Sequence, residues 1–242
     1  MYVVDVIKNV NGIDKIEKKV FLHMIKTAGI SVHQAINKSQ YRIQFNQRHS
    51  HISMLPDKYI DLPRHIILRK PEDWYISFYN FFLPVEGFFS FMLRDDEGIP
   101  IDINEFILRA SNMKDFFFQH QFKTAILNSI LNEQETLHFM FTFFTEQITE
   151  ETYINYNFSL FDWFWRGTGG DNATIYPMCK KGLDNLSQEF NIKIGHNNKT
   201  DIPDDYKELL PVKKGDISPE MLKLIQQTDK KYYDKFEELV KN

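Results

Sequence analysis

Residues 21–31 read FLHMIKTAGIS, and this stretch decides the fold. Residues 19–24 (KVFLHM) are mainly apolar and predict a short buried strand, and the apolar positions of residues 30–37 recur at helical spacing. A strand, a tight loop and a helix in this order are the building unit of an α/β sheet. The stretch therefore predicts one strand-to-helix connection of such a sheet.

Further elements follow the same alternation. A second buried strand is predicted at residues 64–68 (RHIIL), and Pro71 followed by two acidic residues predicts the start of a helix. Residues 1–10 predict another strand, and residues 218–239 predict a long amphipathic helix. We expect an α/β fold with a central parallel β-sheet flanked by helices, built as a single domain over residues 1–242.

The loop in the first stretch carries groups that bind anions. Free N–H groups and the dipole at a helix start attract negative charge, and Lys26 adds a mobile positive charge. Thr27 and Ser31 offer hydroxyl donors, and Gly29 allows close approach of the backbone. The Walker sequence GxxxxGK[ST] is absent because here the lysine precedes the glycine. An ordinary turn without a ligand is the alternative.

The second strand also ends on a basic residue. Arg69 follows residues 64–68 directly, where ligands bind in open α/β sheets. Ser77 lies eight positions after Arg69, on the predicted helix, so both side chains could bind one anion. A surface arginine and an unrelated helix serine are the alternative.

Composition limits the classes of protein that remain. The chain has 242 residues, a net charge of -4, 43% hydrophobic residues and one cysteine, Cys179. This balance excludes a wholly disordered chain and argues against general nucleic-acid binding. A single cysteine allows no intramolecular disulfide, and no apolar run is long enough for a membrane span. We expect a cytoplasmic protein.

The two strand-to-loop segments together resemble a known family. FLHMIKTAGIS is similar to the 5′-phosphosulfate loop of sulfotransferases, and IILRKPEDWYISFYNFF (residues 66–82) is similar to their 3′-phosphate segment. Two shorter stretches add to the resemblance. The first is His49-Ser50-His51, which is similar to the H-x-H stretch of the 2-O-sulfotransferase branch. The second is the late HNNKT of residues 196–200.

The resemblance implies a P-loop-NTPase-like three-layer fold and the donor 3′-phosphoadenosine 5′-phosphosulfate (PAPS), with adenosine 3′,5′-bisphosphate as product and no metal. It implies that Lys26 contacts the leaving 5′-phosphate oxygen and that Arg69 and Ser77 hold the 3′-phosphate. The complete implied cofactor-binding set is Lys26, Thr27, Ala28, Gly29, Ile30, Ser31, Arg69, Ser77, Lys199 and Thr200.

The resemblance further implies an acceptor site with histidine chemistry. His51 would take the proton from the acceptor hydroxyl and His49 would assist, since the ordinary pKa of histidine suits a base near neutrality. If this segment is a strand, the two imidazoles share a face. The acceptor would be a small molecule or a glycan, and the H-x-H stretch favours a carbohydrate hydroxyl. Two satisfied loop histidines, or half of a metal site, are the alternatives.

Two departures from the family pattern leave other functions open. Ile25 replaces a usual proline, and Ile30 replaces a usual threonine or serine, which removes one hydroxyl donor. A non-catalytic nucleotide-binding or interaction protein on the same fold is therefore the main alternative. An ATP-dependent small-molecule kinase is a further alternative, against which the absence of a Walker sequence argues.

Overall fold

The computed structural model describes residues 1–39, 41–47, 51–85, 89, 92–113, 158–195 and 202–241. In these residues five strands form one sheet in the order β3-β1-β2-β4-β5. The strands are β1 (Tyr2–Val10), β2 (Ile13–Leu22), β3 (Ile43–Asn46), β4 (Arg64–Leu68) and β5 (Thr174–Pro177). The helices are α1 (Gly29–Lys38), α2 (Pro71–Phe82), α3 (Ile103–Ser111), α4 (Leu160–Thr168), α5 (Lys180–Phe190), α6 (Pro219–Thr228) and α7 (Lys230–Lys241).

The sheet is mixed. β1 pairs antiparallel with both β2 and β3, and the β1–β2 hairpin turns at Asn11 and Gly12, whose φ angles are 54° and 82°. β2, β4 and β5 run parallel. The predicted α/β class is confirmed, whereas the expected parallel sheet is present only in these three strands. The P-loop-like arrangement remains a prediction.

One face of the sheet packs against α1 and α5. Apolar side chains alternate along the strands because successive residues point to opposite faces, and those of this face meet the apolar sides of the two helices. The buried cluster consists of Tyr2, Val4, Val6, Phe21, Val32, Ala35, Ile36, Ile67, Tyr176, Leu183, Leu186, Phe190, Ile192 and Ile194. This packing fixes the positions at which β2 and β5 end and α1 and α5 begin.

The chain divides into two compact units. The first contains Met1–Lys70, Phe164–Lys199 and Asp234–Asn242, as far as they are described, and holds the sheet. The second contains Pro71–Trp163 and Thr200–Tyr233, with the same restriction. The expectation of one domain stays a prediction.

The second unit has an aromatic core. Trp74, Tyr75 and Phe78 of α2 are fully buried, and the ring of Phe78 stacks on Phe106 of α3 at 5.7 Å and 7°. α3 begins at Asp102, whose Oδ1 accepts hydrogen bonds from the N–H groups of residues 104 and 105 at 2.7 and 3.0 Å. Such a cap satisfies N–H groups that have no partner inside the helix.

One predicted helix is interrupted in the structure. The predicted helix over residues 218–239 begins as expected, with the Ser218 hydroxyl accepting from Met221 N–H at 3.3 Å, but it is broken at Asp229. Asp229 N–H donates to the Ile225 carbonyl and ends α6, while its own carbonyl accepts from Tyr232 N–H in the first turn of α7.

In the described residues no helix is long and apolar enough to cross a membrane.

Candidate functional site

Three strand-to-helix connections lie at one edge of the sheet. Residues 23–28 connect β2 to α1, residues 69–70 connect β4 to α2, and residues 178–179 connect β5 to α5. Because the three strands are parallel, their carboxyl ends share this edge. Ligands of open α/β sheets bind at such an edge. The structure therefore brings two of the predicted segments, those of Lys26 and Arg69, to one place.

The loop after β2 has a strained backbone. Lys26 and Ala28 have φ angles of 63° and 60°, in the left-handed region. This conformation costs a residue with a side chain roughly 1–2 kcal/mol. Ala28 caps α1 in that conformation, at ψ 14°, without a side-chain hydrogen bond. Strain of this kind concentrates at functional sites, where the surrounding structure imposes it.

The start of α1 offers backbone donors. The first helical hydrogen bond of the loop runs from Val32 N–H to the Ala28 carbonyl at 3.2 Å. Helix geometry leaves the N–H groups of Gly29, Ile30 and Ser31 without an acceptor inside the helix. The first turn of α1 contains no acidic residue. This arrangement is suited to an anion, as the sequence predicted.

Two loop residues have structural contacts that the sequence did not predict. The Thr27 hydroxyl is fully buried and donates to the Met24 carbonyl at 2.8 Å, so its proton is not available to a phosphate. Gly29 is required by packing, because a Cβ atom there would lie 1.7 Å from Cδ2 of the His23 ring. The His23 ring in turn stacks on Tyr2 at 6.3 Å. Thr27 thus stabilises the loop internally, and Gly29 allows His23 to pack against Tyr2 of β1.

The two predicted basic residues meet. Arg69 Nη1 donates to the carbonyl oxygen of Lys26 at 3.1 Å. Burial and, to a lesser extent, the neighbouring guanidinium of Arg69 together lower the pKa of Lys26 from 10.5 to about 8. Two cations held this close repel each other unless an anion lies between them. The pair is therefore the positive centre of the candidate site.

Ser77 lies in the second unit, and its predicted contact with the anion held by Arg69 stays a prediction. It is half-buried and is the seventh residue of α2, about 9 Å along the axis from Pro71. Lys70, the residue after Arg69, forms an ion pair with Glu237 at 3.1 Å.

His51 does not lie on a strand. It is extended (φ −63°, ψ 149°) and caps a 3-10 turn at Ile52–Met54. The N–H of Ser53 donates to His51 Nδ1 at 3.2 Å, and the Ser53 hydroxyl lies 2.8 Å from the same nitrogen. Because a backbone N–H only donates, Nδ1 accepts, and the neutral ring carries its proton on Nε2. In this conformation Nε2 is a donor, so a base role requires the Ser53 N–H bond to break.

The turn that contains His51 lies near the same sheet edge. Tyr2, at the start of β1, pairs with Phe21 on one side and with Asn46 on the other. The ends of β2 and β3 therefore lie at the same edge of the sheet, with β1 between them. Gln47, next in the chain, donates from Nε2 to Met54 Sδ at 3.6 Å. His49, Lys199 and Thr200 lie outside the described residues, so their predicted roles stay predictions.

The sequence did not reveal the third connection. β5 is only four residues long, TIYP, and the chain then passes through Met178 and Cys179 into α5. Met178 N–H donates to the Leu68 carbonyl at 2.7 Å, which extends the pairing of β4 and β5 by one bond. A short strand that ends in proline has no clear periodicity, which explains why it was not predicted.

Other features of the described residues do not coincide with this site. An open surface pocket of about 650 Å³ lies at the opposite sheet edge, where β4 and β5 begin. Its lining is Ile60, Leu62, Pro63, Arg64, Asp171, Asn172, Ala173 and Thr174, none of which the sequence had singled out. In the part of the chain that the structure describes, no group of three or more histidine, cysteine or acidic side chains is arranged to hold a metal ion.

No family model, curated protein or solved structure matches this chain. The functional argument therefore rests on the geometry of the loop, on Arg69 and on the motifs themselves.

Proposed function

We propose that this chain is a sulfotransferase that moves a sulfuryl group from PAPS to an acceptor hydroxyl. The observation that carries the proposal is the bond from Arg69 to the Lys26 carbonyl, since it joins the two segments that resemble the donor-binding motifs. A strained loop, open helix N–H groups and two adjacent cations support an anionic ligand at the carboxyl edge of the sheet.

In the proposed reaction the acceptor oxygen forms a bond to sulfur while the bond from sulfur to the bridging oxygen of the 5′-phosphate breaks. Lys26 neutralises the charge that develops on that leaving oxygen, and the N–H groups at the start of α1 hold the phosphate. Arg69, with Ser77, binds the 3′-phosphate through its forked donors. The chain thus contributes to catalysis chiefly by positioning the two reactants and by supplying fixed positive charge.

His51 is the proposed base that takes the acceptor proton, with His49 assisting. Since Nδ1 accepts from Ser53 N–H, the ring must turn or change tautomer before Nε2 accepts a proton. Without that change His51 donates a hydrogen bond to the acceptor instead. His51→Ala tests the assignment with the true acceptor: a base contributes about 10²–10⁴-fold to turnover, and full turnover in the variant places the base elsewhere.

The donor site is tested by calorimetric titration of adenosine 3′,5′-bisphosphate. Lys26→Ala and Arg69→Ala are each expected to weaken binding by about tenfold or more, because each removes a charged hydrogen bond. Arg64→Ala is the matched control, since Arg64 begins the strand that Arg69 follows and lies at the opposite edge. Unchanged affinity in both test variants would place the nucleotide site elsewhere.

A non-catalytic nucleotide-binding protein is the second candidate. The observation that favours it is the exposed Ile30, 48% accessible in the first turn of α1, where the family has a hydroxyl donor. Binding of adenosine 3′,5′-bisphosphate without transfer to glycan, lipid or phenol acceptors supports this candidate. The kinase alternative is separated by thermal shift, because a kinase is stabilised by ATP with Mg²⁺ and a sulfotransferase by the bisphosphate.

A further inference from the structure

The β1–β2 hairpin extends beyond the rest of the sheet. β4 pairs with β2 only over Val20–Leu22, and residues 13–18 of β2 are exposed. Among the residues that the structure describes, no strand pairs with the outer edge of β2 between Ile13 and Lys19. An edge of this kind is a template for pairing with a further strand.

The backbone of this edge points away from β1. Val20 N–H donates to the Pro63 carbonyl at 2.9 Å, on the β4 side of the strand. Backbone groups along an antiparallel strand alternate between the two sides. Lys18 and Ile16, two and four positions before Val20, therefore direct their N–H and C=O groups toward the same open side. The Ile16 side chain, which stands roughly perpendicular to the sheet, is 65% accessible.

The open edge has a midpoint at Ile16. It begins at Ile13, next to the hairpin turn, and ends at Lys19, where Pro63 and β4 take over the pairing. A second β2 strand placed antiparallel with a two-fold axis at Ile16 pairs the whole open edge. Because Ile16 points its backbone outward, the two copies of this residue exchange both hydrogen bonds.

The charges of the edge are self-complementary about the same midpoint. Residues 13–19 read IDKIEKK. With the axis at Ile16, Asp14 faces Lys18 of the second copy and Lys15 faces Glu17 of the second copy, and symmetry repeats both contacts. Opposite charges directly across a pair of strands stabilise it, whereas like charges destabilise it. An axis at Asp14 or Lys18 would instead place that residue against its own copy.

Contacts within the hairpin are compatible with this pairing. Glu17 lies 3.3 Å from both Lys8 and Lys19, and Lys18 lies 3.8 Å from Asp5, while the side chains of Glu17 and Lys18 are themselves about half exposed. A carboxylate accepts several hydrogen bonds and an ammonium donates three, so each group has capacity for one more partner. The Ile16 side chains, exposed in one copy, pack against each other at the axis.

We propose that two copies of this chain associate through the outer edge of β2, residues 13–19, as a symmetric antiparallel pair with Ile16 on the two-fold axis. The two sheets then become one continuous sheet. In this mode of recognition main-chain hydrogen bonds provide the affinity, and side-chain contacts set the register of the two strands. The proposal is independent of the proposed sulfotransferase activity, because none of its residues belongs to the candidate site.

The test is sedimentation velocity of the full chain over a wide range of protein concentration. The natural chain is expected to show a concentration-dependent dimer that weakens as salt screens its exposed ion pairs. Lys15→Glu is expected to raise the dissociation constant about tenfold or more, because the new glutamate of each copy then faces Glu17 of the other copy. The same change removes the like-charge contact of Lys15 with Lys8 in its own hairpin, so the monomer stays folded.

Two further variants make the experiment specific. Glu17→Lys alone is expected to weaken the dimer, yet an equal mixture of Glu17→Lys and Lys15→Glu chains restores it, because every cross-strand pair in the mixed dimer is again opposite in charge. Lys223→Glu, an exposed lysine on α6, gives the same charge change as Lys15→Glu and should leave the dimer intact. Circular dichroism verifies that each variant is folded.

The outcomes separate clearly. A natural chain that stays monomeric at every concentration overturns the proposal. A dimer that persists unchanged in Lys15→Glu, or a mixture that does not associate more strongly than its two components, shows that the edge of β2 is not the interface. Restoration in the mixture supports both the edge and its register.

Discussion

The guanidinium of Arg69 donates a hydrogen bond to the carbonyl oxygen of Lys26 at 3.1 Å, across 43 positions of the chain. The carbonyl belongs to a loop in which Lys26 and Ala28 adopt left-handed backbone conformations. Each such residue costs roughly 1–2 kcal/mol, and a hydrogen bond from a charged donor contributes roughly 1.5–3 kcal/mol. The two magnitudes are comparable, so Arg69 is able to offset much of the strain that gives the loop its shape.

Arg69→Lys should loosen the loop while preserving the charge. A lysine has no planar fork, and its ammonium does not reproduce the guanidinium geometry at the Lys26 carbonyl. We expect the amides of residues 26–28 to exchange with deuterium about tenfold faster, as measured by mass spectrometry of the unliganded protein. Arg64→Lys, at the other end of β4, is the control. Equal exchange in Arg69→Lys and the natural chain would show that the bond does not hold the loop.

Substitutions at the adjacent residues 28 and 29 should change stability in opposite directions. Ala28→Gly relieves the left-handed strain and should raise the free energy of unfolding by up to about 1 kcal/mol. Gly29→Ala places a methyl group 1.7 Å from the His23 ring and should lower that free energy by about 1–3 kcal/mol. Urea titration of both variants measures the difference, and a destabilised Ala28→Gly would contradict the strained loop.

Anion binding should depend on the protonation of Lys26. Its pKa is lowered to about 8, first by burial and then by Arg69, so the side chain is charged below that pH and neutral above it. The affinity for adenosine 3′,5′-bisphosphate should therefore fall as pH rises above about 8, by up to tenfold per pH unit. Lys26→Arg, which keeps its charge, should bind without this decline. The same decline in Lys26→Arg would assign it to another group.

Much of the sheet edge could be predicted from the sequence. The strand at residues 64–68 and the helix starting at Pro71 agree with the structure, because an apolar run and a proline followed by acids are strong local signals. The strand before the loop was predicted to begin at residue 19, but β2 begins at Ile13. Its first half, exposed on both faces, has no apolar pattern from which a strand could be predicted.

The internal geometry of the candidate site could not be predicted. Thr27 donates to the Met24 carbonyl and Gly29 makes room for His23, and neither contact was predicted. Such roles depend on tertiary neighbours, which local propensity does not encode. His51 shows the same limit, since its contact with Ser53 arises from a 3-10 turn and not from the strand that would have aligned two histidines.

The second unit contains a buried carboxyl that should make stability depend on pH. Asp229 is fully buried at the break between α6 and α7, where it accepts hydrogen bonds from the hydroxyls of Tyr75, at 2.9 Å, and Ser159. Burial raises its pKa from 3.8 to about 7, with the nearby Asp162 acting in the same direction. The two hydroxyls and Lys231 oppose the shift without cancelling it.

The sign of the effect follows from this raised pKa. Below about pH 4 the carboxyl is protonated in both the folded and the unfolded chain, so its contribution to stability is fully present there. As pH rises toward about 7, the unfolded chain ionises first and the folded state loses stability, by on the order of 4 kcal/mol in total. The side chain in Asp229→Asn cannot ionise, so the variant does not suffer this loss. Its stability relative to the natural chain should therefore be greater at neutral pH than at acid pH.

Urea unfolding at about pH 5 and at about pH 8 measures this relative stability, taken as the difference between Asp229→Asn and the natural chain. The difference should shift in favour of the variant by at least about 1 kcal/mol between the two conditions. Asp234→Asn, an exposed position on α7, is the matched control and should show no such shift. If Asp229→Asn changes stability equally at both pH values, the carboxyl is ionised in the folded protein throughout, and its burial is offset by Tyr75 and Ser159.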